Sequence, residues 1–248
     1  FASELKFIVR FHDSDDENCW RDSDGKFDSS RTNDRQMVDE VIAALESERK
    51  IMIEDAKDGS RVTKPKPAFT TDTMLQAAGS SLGWGVGKTM TVAGALYNSG
   101  FITYLRTDST RTDPGARNQA RSFIESKWGT DYLGTPPGPG AGSAKDSKAQ
   151  DAHEAIRPTN VELESVEDAD QNRLYTLIRA RFLATQMSEA KYSTTSLTAK
   201  VKGFNRPLTS KVEWRVHGGW EAAFIATGRK QPITERPSLD LMPGAEHA

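Results

Sequence analysis

A tyrosine, an arginine and an aspartate fall on every second position of the stretch "FITYLRTDST", as Tyr104, Arg106 and Asp108. In an extended chain these three side chains share one face. A phenol with an ordinary pKa of about 10 is a poor nucleophile at neutral pH without help. An adjacent guanidinium supplies that help: it favours the phenolate and opposes the charge that builds on phosphate oxygens during attack. Asp108 has the reach to orient such an arginine or a histidine. Thr103, Thr107, Ser109 and Thr110 offer small donors to phosphate oxygens, and Arg111, Arg117 and Arg121 continue the positive side. The expected chemistry is attack of the Tyr104 hydroxyl on a phosphodiester.

A second stretch, "DAHEAIRP", follows the Gly- and Pro-rich segment "GTPPGPGAGSAKDSK" with its Lys145 and Lys148. Read as a short helix ended by Pro158, it puts His153 and Arg157 four residues apart on one face. Next to a phosphate the imidazole would hold its proton, so the pair is expected to be a second phosphate-binding element.

Two other motifs are weaker. "GWGVGKT" suggests a phosphate loop, but the pattern would need glycine where Leu82 stands, and Gly83, Gly85 and Gly87 do not have dinucleotide-binding spacing either. A tight turn before a helix is the expectation, and no nucleotide triphosphate site. In "HDSDDE", Asp13, Asp15 and Glu17 match a Mg²⁺-binding pattern, yet short acidic runs are usually solvated loops. No metal site is expected in this chain.

The elements that must position these groups divide into three stretches. "LKFIVRF" and "KIMIED" read as strands around the amphipathic helix "RQMVDEVIAALESER", and "RVTKPKPAF" as a Pro-broken linker. From Thr70 the pattern is helical: "TTDTMLQAAGSSLG", then "GVGKTMTVAGALYNSG" with Val86, Met90, Ala93 and Tyr97 on one side, then a strand "FITYLR". The helices "DPGARNQARSFIESKWG" and "DADQNRLYTLIRARFLATQM" follow, the second burying Leu174, Leu177, Ile178 and Phe182. The tail returns to strands in "YSTTSLTAKVKG" and "SKVEWRVHGGWEAAFI". The expected fold class is α+β, with a β-rich arch formed by both chain ends, 1–64 and 191–248. A mainly α-helical, winged-helix-like (CAP-like) domain, 65–190, is inserted in it.

The 248 residues suffice for two modest domains, and the net charge of −2 neither announces nor excludes a nucleic-acid partner. Cys19 is the single cysteine, which excludes an internal disulfide and suits a reducing compartment. No apolar run approaches the ~20 residues that span a bilayer, and no signal peptide is expected. The opening "FASELKFIVRF" lacks an initiator Met and enters a strand pattern at once, so the chain is expected to be a piece of a longer protein.

"FITYLRTDST" resembles the active-site segment of type IA DNA topoisomerases, and "QDAHEAIRPT" resembles a block downstream of it in that family. "PAFTTDTMLQAAG", "LGWGVGKTMTVAGALYNSGFITY" and "LYTLIRARFLATQM" look like the accompanying segments; the strong match runs from about Pro67 to Tyr192. The form "RTDST" is closest to bacterial topoisomerase I or the topoisomerase half of reverse gyrase.

The resemblance implies that Tyr104 is the nucleophile forming a 5′-phosphotyrosine, that Arg106 holds the scissile phosphate, and that His153 contacts nearby phosphate. It implies that Thr103, Thr107, Asp108, Ser109, Arg111 and Arg157 belong to the DNA-binding surroundings. It also implies single-stranded or underwound DNA as partner, relaxation of negative supercoils without ATP, a monomer, and a cytoplasmic, nucleoid-associated protein with no membrane partner. Mg²⁺ would be bound by a Toprim domain that this chain lacks, as it lacks part of a further DNA-binding domain. Two other readings compete: a tyrosine recombinase, whose histidine and arginine spacing and order differ from those here, and a winged-helix DNA-binding module with no chemistry.

Overall fold

The computed structural model describes residues 6–135, 153–229, 231–236 and 242–247. Along the chain these form β1 (Ile8–Val9), α1 (Arg35–Glu48), β2 (Ile51–Thr63), α2 (Thr71–Leu82), α3 (Val86–Asn98), α4 (Pro114–Trp128), α5 (Ala169–Ala184), β3 (Ala190–Lys200), β4 (Leu208–His217) and β5 (Glu246–His247). Short 3-10 segments cover Thr130–Tyr132 and Gly219–Thr227. The fold is α+β. It divides into one unit of residues 1–61, 192–216 and 233–248 and another of 62–191 and 217–232.

In the first unit the strands run in the order β1-β4-β3-β2-β5, with β1 antiparallel to β4 and β2 antiparallel to β5. Helix α1 begins at Asp34, whose carboxylate accepts from the amides of Gln36 and Met37 and so satisfies two of the donors a helix start leaves open. It ends at Arg49 in the left-handed region. Its Val41 and Ala44 join Ile53, Leu197, Ala199 and Leu208 in the core of this unit. Exposed surroundings are laced with ion pairs, among them a two-point contact of Arg61 with Glu213 at 2.7 and 2.5 Å.

The second unit is built around α5. Nine of its residues, Leu174 to Ala184 with gaps only at Thr176 and Arg181, are buried, so it is a central helix and not a one-faced surface helix. The residues expected to be buried, Leu174, Leu177, Ile178 and Phe182, are. Tyr175 is buried too; its hydroxyl donates to the carbonyls of Asn160 and Leu163, and burial pushes its pKa up to about 12. Phe69, Met74, Leu96 and Ile124 bring the linker, α2, α3 and α4 onto the same core.

Four sequence expectations are corrected. "FITYLR" joins no ladder: Ile102 makes a single bridge to Pro158, so α2 and α3, although linked by the turn Gly83–Gly85, are not followed by a paired wing strand. "HEAIRP" is extended and not helical, because Ile156 and Pro158 bridge Phe69 and Ile102; residues 149–152 of that expected helix lie outside the described residues. In α3 the inward face is Thr89, Ala93 and Leu96, while Val86 and Tyr97 are exposed. The tail strand stops at His217, and Ala222, Ala223 and Phe224 pack into the core around α5. At Gly219, with φ +47°, a Cβ would lie 2.3 Å from the Glu189 carbonyl oxygen, so only glycine lets the chain turn there. The Gly- and Pro-rich segment with Lys145 and Lys148 falls almost wholly outside the described residues.

Candidate active site

Three segments meet where the expected chemistry lies: the extended run from Phe101 to Arg111, the extended run from His153 to Thr159, and the first turn of α2. The first is pinned to the others by backbone bonds. The Thr103 amide donates to the Arg157 carbonyl, the Ala155 amide to the Arg111 carbonyl, and the Thr71 amide to the Thr107 carbonyl. Side chains alternate outward and inward: Tyr104, Arg106 and Asp108 are exposed, while Leu105, Thr107 and Ser109 are buried. The shared face predicted for the first three is present, without a sheet to enforce it.

The hydroxyls of Thr103, Thr107 and Ser109 bond to the chain. Thr103 Oγ1 donates to the Ala155 carbonyl at 2.8 Å and accepts from the Arg157 amide at 3.0 Å. Thr107 Oγ1 accepts from the Ser109 amide, and Ser109 Oγ from the Arg111 amide. Thr71 Oγ1 completes the brace, donating to the Leu105 carbonyl and accepting from the Thr107 amide. A run of small donors thus fixes the backbone on which Tyr104 and Arg106 stand.

Tyr104 is 39% exposed and its ring lies 5.4 Å from that of His153, centre to centre, and 5.4 Å from that of Tyr97 in an edge contact. His153, Arg106, Asp108 and Thr107 line an open cleft of about 520 Å³ with Thr70, Thr71 and Asp72 of the α2 start. Thr70 caps that helix in a reciprocal box with Thr73, which leaves the positive end of the helix dipole facing the cleft. Among the described residues no carboxylate pairs with Arg106. The cleft therefore joins a guanidinium, an imidazole and a helix N-terminus, with Asp72 and Asp108 also in its lining and the Tyr104 phenol beside the imidazole.

Arg157 is not part of this group. Its guanidinium donates to both Glu154 carboxylate oxygens, at 2.9 and 2.7 Å, and to the Pro158 carbonyl, and it lies over the Phe182 ring. The side chain is only 12% exposed, so it ties its segment to α5. The backbone of Arg111 holds the His153 segment through Ala155. Sequence reasoning passed over Thr71, Asp72 and Tyr97; "TTDT" was legible as a helix start, but not as a wall of the cleft. Lys88 of "GWGVGKT" pairs with Asp170 at 2.7 Å and lies over Trp84. Asp13 pairs with Arg10 and Arg206. Among the described residues no cluster of three or more His, Cys, Asp or Glu is placed to hold a metal, and no helix is long and apolar enough to cross a membrane.

A fold of this class with such a cleft has close counterparts. The DNA topoisomerase family model matches residues 4–242, and the chain belongs to that family. It is 41% identical over 186 residues to DNA topoisomerase 1 of Escherichia coli, covering 73% of this chain and 21% of that protein. With DNA topoisomerase 1 of Haemophilus influenzae it shares 36% identity over 222 residues, 87% of this chain and 24% of the other. Full-length topoisomerase I from Thermotoga maritima superposes with a TM-score of 0.66 at 29% identity, over 89% of this chain and 36% of that one. The chain thus spans about a quarter of the length of these curated relatives.

Proposed function

We propose that this chain carries the strand-cleaving tyrosine of a type IA DNA topoisomerase, and that its substrate is single-stranded or underwound DNA. The observation that carries the reading is that the exposed Tyr104 lies against His153, which lines an open cleft together with Arg106. Tyr104 Oη attacks phosphorus and loses its proton. The bond from phosphorus to the 3′-oxygen breaks, and that oxygen leaves as a 3′-hydroxyl after taking up a proton. The 5′-phosphate stays on the tyrosine as an aryl phosphodiester. One ester replaces another, so religation needs no ATP, in keeping with a "GWGVGKT" turn whose lysine is engaged with Asp170.

In this reading Arg106 opposes the charge on the non-bridging oxygens, His153 binds an adjoining phosphate, and the α2 N-terminus adds its dipole. Thr103, Thr107 and Ser109 act as positioning residues through the backbone they brace. Asp108 and Asp72 line the same cleft as the arginine. Arg111 and Arg157 hold the two extended segments in register. In this reading Mg²⁺ belongs to a Toprim part of the enzyme. The reading also assigns the enzyme to nucleoid DNA in the cytoplasm, acting as a monomer on negatively supercoiled substrate.

The test uses the chain joined to a Toprim part. Tyr104→Phe should bind single-stranded DNA as the parent does and yield no covalent protein–DNA band on a denaturing gel. A band that persists in the variant refutes the assignment.

A further inference from the structure

A second cavity of the helical unit lies apart from the tyrosine cleft. It measures about 670 Å³ and is lined by the outer face of α2, by α5 and by the 3-10 segment after β4. Three cations reach it: Lys66, Arg181 and Arg229. Among the described residues no Asp or Glu lines it, whereas Asp72 and Asp108 are in the lining of the tyrosine cleft. The remaining polar wall is hydroxyl and amide, including Gln76, Ser80 and Ser81.

Arg181 is the unusual member. It sits in the largely buried C-terminal part of α5 with its guanidinium 4.4 Å over the Phe69 ring, and its Nε is shut off from solvent with no hydrogen-bond partner among the described residues. Its pKa is lowered, and burial is the cause. A desolvated guanidinium with an unused donor is costly unless an anion completes it. Arg179, two residues earlier, differs: its Nε donates to the Val161 carbonyl, and although its Nη2 makes no hydrogen bond among the described residues, the Glu164 carboxylate lies 3.6 Å from it.

We infer that this cavity is a phosphate-binding subsite in which Lys66, Arg181 and Arg229 take a phosphodiester of the same DNA strand that Tyr104 engages. The link between the two places is α2. Its start, Thr70 to Asp72, lines the tyrosine cleft, and Thr73, Gln76 and Ser80 line the cavity. Asp72 and Ser80 are separated by about 12 Å along the helix axis at the usual rise. One strand following this helix meets both sites. The assignment of the anion to DNA rests on the function proposed above; the demand for a phosphate-like anion rests on the cavity itself.

The test measures binding of a labelled single-stranded oligonucleotide by the 248-residue protein, in parallel with its melting temperature. Arg181→Met should weaken binding about tenfold at low salt and lower the slope of log affinity against log salt by about one. Its melting temperature without DNA should hold or rise, since an unpaired buried charge is removed. Lys66→Gln, at an exposed position, should give the same change in slope with the fold untouched, and serves if the first variant does not fold.

Wild-type affinity and slope in both variants overturn the subsite. So does protection of the parent by inorganic phosphate together with unchanged oligonucleotide affinity in the variants, because the anion is then not the strand. The two claims fail separately. Weakened binding in Arg181→Met with no adduct on Tyr104 in the Toprim-completed protein keeps the subsite and removes the chemistry. An adduct on Tyr104 with unweakened binding does the reverse.

Discussion

The two units treat their positive charges differently. In the sheet unit Arg10, Arg61, Lys200 and Arg206 each face a carboxylate from another part of the chain or a nearby turn. In the helical unit Arg106, Lys66, Arg181 and Arg229 form no ion pair among the described residues, although Arg157, Lys88 and Lys127 close by do. An exposed ion pair adds little stability, so neutralisation in the sheet unit is chiefly a matter of keeping a surface free of unwanted anions. Unpaired cations that converge on a cleft or cavity do the opposite: they raise the local concentration of an anion and leave its binding energy available. A net charge of −2 hides this division completely.

The contrast is sharpest where packing is involved. Phe182 lies fully buried in α5, with Arg157 above its ring, so it links the core of the helical unit to the segment that carries His153. Phe182→Ala should cost about 3–5 kcal/mol. Circular dichroism and denaturant titration should show the helical signal lost early; an unchanged midpoint would contradict the central role given to α5.

A much smaller effect is expected in the other unit. Arg61 holds the carboxyl of Glu213 below its usual pKa through their hydrogen bonds, and both side chains are about a third exposed. Glu213→Gln should therefore cost about 0.5 kcal/mol near neutral pH. The sign follows from linkage: a depressed folded pKa stabilises above the unfolded value and the gain is lost as pH falls through the folded one. Melting temperatures of parent and variant should converge as pH drops below about 4.5. A gap that widens in acid would mean that the pair is not what stabilises this part of the sheet.

Much of this division was legible in the residues. Capping and periodicity located α1, α2, α3, α4 and α5, since each starts or stops at Asp, Thr or Gly positions whose backbone preferences are strong. Alternation placed Tyr104, Arg106 and Asp108 on one face, because an extended chain has that property whether or not it joins a sheet. Pairing was not legible. "FITYLR" looked like a strand, yet the segments beside it offer only single bridges. "HEAIRP" has helical spacing, but Pro158 and the bonds to Phe69 and Thr103 hold it extended. The hydroxyls of Thr103, Thr107 and Ser109 could be recognised as donors, not assigned a recipient, and their recipients are within the chain. "HGGW" carried a breaker signal that the alternating residues around it masked; Gly219 is where it acts.

The central claim concerns one oxygen atom, and the structure supplies its own rival. Tyr97 touches Tyr104 and is as exposed, at 41% against 39%. Only Tyr104 also stacks near His153 and stands two residues from Arg106 on the same face. The direct measurement is peptide mapping by mass spectrometry of the covalent DNA complex formed by the chain joined to its Toprim part. The account predicts a nucleotide remnant, linked through phosphate, on the peptide residue Tyr104 and on none of the other four tyrosines. A remnant on Tyr97, or on any residue outside this cleft, would contradict it.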